Sequence, residues 1–361
     1  MNGKRLLGLL LAVMMLLSLV TGCGKQVVVT EKHDDVQQTQ TEQREEPAEA
    51  AEEPAADHVK TGLSVAVSAA KSAGATAEKE GSAQSDITLV AVTVGDDGVI
   101  DQCVIDMVQA KVGFDTTGAL TTDPTTMAAS KNELGADYGM AKASSIGKEW
   151  NEQAAALADY VCGKTLDEIE GIALTEKGAP ADADLAASVT ISIGGFLEGV
   201  RDAVENASHM GAQKGDALKL VSVTNLSQSK NASAEDDGLA QAYSNLAAVT
   251  LREDTVTSCY IDAVQVDVNF DAAGQITSDV NAAFPTKNTL GDDYGMKKAS
   301  SIGKEWNEQA AAFCQYVTGK TVSEVSGIAV NEKGAAADAD LASSVTVGIG
   351  AFQELIRKAA G

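Results

Sequence analysis

Two threonines stand at matching places in two near-copies of one segment, and they have the clearest chemical setting in the sequence. Thr190 lies in DLAASVTISIGGFLEGV and Thr346 in DLASSVTVGIGAFQELI. Asp184 and Asp340 lead the two segments, and a glycine-bearing helix start follows each threonine. A helix N-terminus presents free N–H groups and a partial positive charge, so it suits a phosphate. Glycines such as Gly194 and Gly195 let a ligand approach the backbone there. The same residues support a second reading. SVTISI alternates like a β-strand, and its β-branched residues favour extended backbone, which makes Thr190 one of the outward polar positions.

Other chemistries are poorly served. The histidines are His33, His58 and His209, and none lies inside either copy. Ser-His and Cys-His nucleophile pairs and His-ligated metals are therefore excluded from within a copy. No glycine-rich phosphate loop follows a strand, and clusters such as AEDDG and DADAD lack the spacing of a calcium loop. Cys103 and Cys259 correspond and sit in apolar strands, as buried structural thiols do. Cys162 and Cys314 correspond to Thr318 and Ala158, which argues against a role shared by the copies. Carriage or binding fits this inventory better than hydrolysis or group transfer.

The segments that must position the threonines are duplicated too. YGMAKASSIGKEWNEQAAA returns as YGMKKASSIGKEWNEQAAA, with Lys297 in place of Ala141. A constant offset relates the copies, slipping by one residue where GDDG meets RED, as expected of a turn. The copies span 60–207 and 217–361, joined by a polar linker, 208–216. Each reads as α+β. GLSVAVSA is a strand, and SDITLVAVTV and VIDQCVIDMVQAKVGF form a hairpin of two long strands. Ile146, Trp150, Ala154, Leu157 and Val161 then mark one face of a helix that Gly163 stops. KTLDEIEGI is a short helix with Thr165 as N-cap and Glu168 completing a capping box. FLEGVRDAV is the closing helix. The expected fold is a small antiparallel sheet packed with helices, made twice.

The end of each copy resembles the FMN-binding domain of membrane-associated flavoproteins. In that family an Asp leads a Ser-Gly-Ala-Thr-like turn, and a flavin transferase esterifies FMN through its phosphate to the Thr. The resemblance implies FMN on Thr190 and Thr346, with Asp184 and Asp340 as the leading acids. This sequence has Ser188-Val189 and Ser344-Val345 where the family has Gly-Ala. Tyr138, Trp150 and Phe196 are the rings available to stack on a flavin, although Trp150 and Phe196 also sit on apolar helical faces, as core residues do. SAGAT (72–76) is similar to the same motif, but its counterpart SKNAS has no Thr.

The N-terminus carries Lys4 and Arg5, an apolar run over 6–20 and the exit LVTGC. This resembles a bacterial lipoprotein signal, 1–22, with Cys23 as the acylated residue. Residues 23–59 read as an acidic, disordered tether. The expected location is the cell membrane, lipid-anchored and facing outside the cytoplasm. The net charge of −25 argues against nucleic acid as a partner. Two functions are compatible with all of this. One is an FMN-carrying electron-transfer lipoprotein with a redox partner. The other is a non-catalytic surface module that binds a small ligand, wall polymer or protein. A substrate-binding lipoprotein of a transporter fits less well, because the copies lack βαβ alternation.

Overall fold

The long strands are apolar on both faces, and this dictates the layering. The computed structural model describes residues 57–361. The signal segment, Cys23 and the tether up to residue 56 lie outside the described residues. In β2 (Gly81–Val94) nearly every residue is buried. Its partners β1 (Lys60–Ser68) and β3 (Ile100–Phe114) flank it in an antiparallel sheet of order β1-β2-β3. Along β2, Ile87, Leu89 and Ala91 enter one core, while Val90 and Val92 enter another. A strand covered on both sides reads as a continuous apolar run.

Copy one continues with β4 (Met127–Ala128), α1 (Lys131–Leu134), α2 (Trp150–Val161), α3 (Leu166–Glu170), α4 (Ala183–Ala186) and α5 (Gly194–Glu205). Copy two repeats the pattern with β5 (Ala217–Asn225), β6 (Gly238–Arg252), β7 (Thr255–Phe270), α6 (Lys287–Leu290), α7 (Trp306–Val317), α8 (Val322–Ser326), α9 (Ala339–Ala342) and α10 (Gly350–Ala359). The protein is α+β, with two antiparallel sheets each backed by its own helices. The second sheet runs β4-β5-β6-β7 and borrows β4 from copy one, Met127 pairing with Asn225.

Local sequence explains the helices. Glu149 and Glu152 form a capping box, so α2 begins at Trp150 and Ile146 lies in the preceding loop, outside the helix that its spacing suggested. Trp150, Ala154, Leu157 and Val161 are buried as the periodicity requires. Cys162 ends the helix and Gly163 follows with φ +77°. Thr165 and Glu168 make the expected capping box of α3.

The other face of each sheet packs on the other sheet. Leu63, Ile87, Leu89, Val108 and Phe114 share one core with Leu220, Leu246, Val264, Val266 and Phe270. The rings of Phe114 and Phe270 stack with centroids 4.0 Å apart and an interplanar angle of 2°. Separate cores lie under α2 and α5 in copy one and under α7 and α10 in copy two. The layers are thus helices, sheet, sheet, helices, and both copies fall in one compact unit.

At the rims the copies exchange hydrogen bonds. The Gln102 side chain donates to the Asp216 carbonyl at 2.7 Å and accepts from Leu218 N at 3.1 Å. Thr61 and Ser258 share a buried hydroxyl bond of 2.8 Å. Two turns dock reciprocally: Ala75 N donates to Gly274 O and Ala232 N to Gly118 O. Gly118 and Gly274 both have φ +69°, and a Cβ at Gly274 would lie 2.4 Å from Asp115 O, so both conformation and crowding call for glycine. The one-residue slip between the copies falls in the β-hairpin turn. There, Glu253-Asp254 joins paired Arg252 and Thr255, whereas residues 95–99 make the longer turn of copy one.

A shared core should unfold as one. Thermal unfolding of 57–361 is expected to show a single transition. Phe114→Ala should cost about 3–5 kcal/mol and lower protection of β6 and β7 amides as much as that of β2. Hydrogen exchange with mass spectrometry checks this; two transitions, with only copy one affected, would contradict it.

Candidate functional site

Thr190 and Thr346 do not sit in strands. Residues 188–193 form an irregular loop between α4 and α5, and 344–349 form the same loop between α9 and α10. Local bonding overrides the alternating pattern. Ser188 N and Val189 N both donate to Leu185 O, and Ile193 N donates to Gly178 O. A buried glutamine of α2 captures the middle of the loop. Gln153 Oε1 accepts from Thr190 N at 2.8 Å, Thr190 Oγ1 at 3.1 Å and Ile191 N at 3.3 Å. Gln309 Oε1 of α7 accepts from Thr346 N at 2.8 Å, Thr346 Oγ1 at 3.2 Å and Val347 N at 3.2 Å. The glutamine NH2 groups donate onward to Ser144 Oγ and Lys148 O, and to Ser300 Oγ and Lys304 O. Both glutamines are fully buried, and a buried amide is stable only when its polar atoms are paired.

Thr346 also borders a cavity of about 510 Å³. Its wall includes Met296, Ser300, Asn331, Lys333 and Val347. Open space lies beyond Gly350 at the start of α10. The volume is in the range of small-molecule sites. Lys333, the serines and the Thr346 hydroxyl suit an anionic group such as a phosphate. No aromatic residue contributes to the wall. Trp150 and Phe196 pack edge to face inside the core at 5.9 Å, as do Trp306 and Phe352 at 5.8 Å. Tyr138 lies over the Lys131 ammonium. Asp184 and Asp340 are exposed within α4 and α9. The acids that cap these helices are Asp182 and Asp338, each accepting two backbone N–H bonds.

The structure gathers a second constellation that sequence reading missed. Asp262 of β7 is buried and accepts from Ala263 N at 2.7 Å and Asn288 N at 3.0 Å. Beside it, the Lys287 ammonium donates to Tyr243 Oη at 2.8 Å and faces the rings of Tyr243, Tyr294 and Trp306 at 4.6–5.0 Å. Copy one has Asp106, Asn132 and Lys131, the last over Tyr138 and Trp150. Burial pushes the carboxyls of Asp106 and Asp262 up to about 6, against the hydrogen bonds that favour their ionised forms. Burial lowers Lys287 to about 8, with Asp262 opposing. The only sequence signal was the repeated SKN and TKN before a helix, which looks like an ordinary cap.

No family model, curated protein or solved structure matches the chain.

Two measurements follow from these bonds. Thr346→Val removes one hydroxyl bond and should cost about 1 kcal/mol, whereas Gln309→Leu strands two backbone donors and should cost about 3 kcal/mol or more. Denaturant midpoints of the two variants check the order. Asp262 has a folded pKa above its unfolded value. Its contribution is therefore favourable below about pH 4 and is lost as pH rises through about 6. Asp262→Asn should gain on the parent by up to roughly 3 kcal/mol between pH 4 and pH 7. Urea denaturation at both pH values reads this difference, and a constant offset would contradict it.

Proposed function

We propose that the protein is a membrane-anchored, extracytoplasmic lipoprotein whose duplicated domain carries FMN, joined through its phosphate to Thr346 and Thr190, for electron transfer to a redox partner. The observation that carries the reading is the placement of Thr346. It stands in a loop, at a cavity that has a lysine and hydroxyl groups on its wall and the start of α10 beside it. Thr190 repeats the same loop and glutamine contact, which supports the same role in copy one. The resemblance of the Thr segments to flavin attachment sites and the signal ending at Cys23 support the remainder.

The residues present fit the phosphate end of FMN better than its ring. When bound, FMN supplies one- and two-electron redox chemistry. Thr346 would hold its phosphate, Lys333 would balance the charge, and Gln309 would orient the threonine backbone. The ring would rest against Met296 and small side chains, with much of it open to a partner.

Two observations favour a second reading, a non-catalytic binding module that takes a small anionic ligand or a surface polymer. The threonine hydroxyl is already bonded to a buried glutamine, and the aromatic rings are committed to the core.

Colour separates the two. Protein isolated from its own host, then denatured, should keep flavin absorbance, and the peptides over 182–201 and 338–357 should carry the added mass of FMN. Thr346→Ala should remove the label from the second peptide only. Colourless protein with both threonines unmodified would leave the binding module.

A further inference from the structure

Each copy brings a second cysteine to its strand cysteine, by a different route. Cys103 on β3 and Cys259 on β7 hold the same place. Cys162 and Cys314 do not, and by sequence alone they share no role. The fold changes this. Residues 158 and 162 in copy one, and 314 and 318 in copy two, are one helical turn apart on the helix that packs against that strand. The local bonding there is the same, Cys162 Sγ donating to Ala158 O at 3.2 Å and Thr318 Oγ1 to Cys314 O at 2.9 Å. A cysteine at either position meets the strand. Cys314 and Cys259 are both buried in the core of copy two and line one cavity, where Gly319 N donates to Val256 O and Val256 N to Lys320 O to tie the end of α7 to the start of β7. In copy one Gly163 N donates to Ile100 O and Ile100 N to Lys164 O, tying the end of α2 to the start of β3, and Cys103 and Cys162 both pack on the same core.

We propose that each copy is built to close an internal strand-to-helix disulfide, Cys103–Cys162 in the first and Cys259–Cys314 in the second. All four thiols are free in this structure. In each closure two S–H bonds break and one S–S bond forms. The two electrons and two protons pass to a disulfide oxidant such as glutathione disulfide, which leaves as two thiols. A cavity of about 700 Å³ reaches both Cys259 and Cys314, and Cys162 is partly exposed, so small oxidants have access. Burial raises the thiols of Cys103 and Cys162; the neighbouring Cys314 thiol and burial raise that of Cys259. Thiolates are the attacking species, so closure is faster while the copies fold than in the closed structure. The bonds would tie β3 to the end of α2 and β7 to α7.

The test needs neither the anchor nor a flavin. The full chain is refolded in a glutathione redox buffer, denatured without reductant, alkylated, digested and weighed. The expected result is two linked peptide pairs, Cys103 with Cys162 and Cys259 with Cys314. These four residues should become alkylated only after reduction, and reduction should lower the melting temperature by several degrees. Cys162→Ala should free Cys103 and leave the second link intact. Alkylation of all four residues without reduction would overturn the proposal, as would links that join the two copies.

Discussion

The structure depends on the contact between the two sheets. Each sheet is apolar on both faces, and its own helices cover only one of them. The remaining face, carrying Ile87, Leu89 and Phe114 in one copy and Leu246, Val266 and Phe270 in the other, has no cover within its copy. The copies therefore complete each other, much as halves of a divided core do. The Phe114–Phe270 stack sits in this shared layer, and the reciprocal docking of the Gly118 and Gly274 turns joins the same two copies. Apolar burial supplies the driving force, and the rim bonds of Gln102 and Thr61 fix the alignment.

With that layer in place, the outward faces of the sheets become platforms on which helices and loops are held by buried polar groups. Gln153 and Gln309 tie the threonine loops to α2 and α7. Asp106 and Asp262 tie the starts of α1 and α6 to the long strands through the N–H groups of Asn132 and Asn288. These anchors differ in cost. The glutamines are neutral and fully paired. The aspartates are held away from water, which raises their affinity for a proton. At Asp262 the Lys287 ammonium, held among aromatic rings, offsets part of that cost.

Duplication lets the two copies act as controls on one another. Features present in both, such as the glutamine lock and the buried aspartate, come from the common design. Where the copies diverge, the fold still shows equivalence. The strand cysteines meet Cys162 in one copy and Cys314 in the other, because two positions one helical turn apart face the same strand. The hairpin turns differ in length, and the bulges before them remain at matching places, Thr93/Val94 and Thr250/Leu251.

The sequence by itself determined the duplication, the α+β class, the long hairpins, the capping box of Thr165 and Glu168, and the helix face of Trp150, Ala154, Leu157 and Val161. These are local patterns, read from neighbours in the chain. It misplaced SVTISI, because alternation predicts a strand only where backbone groups lack nearer partners, and Gln153, 37 residues away along the chain, supplies one. It also gave no sign that Asp262 and Lys287 share a buried site, or that Cys314 faces Cys259. Only the tertiary structure decided those, and it decided that the two copies form one body. Pairing of distant side chains depends on which faces the packing brings together, and a one-dimensional period records that a face is apolar without recording what covers it.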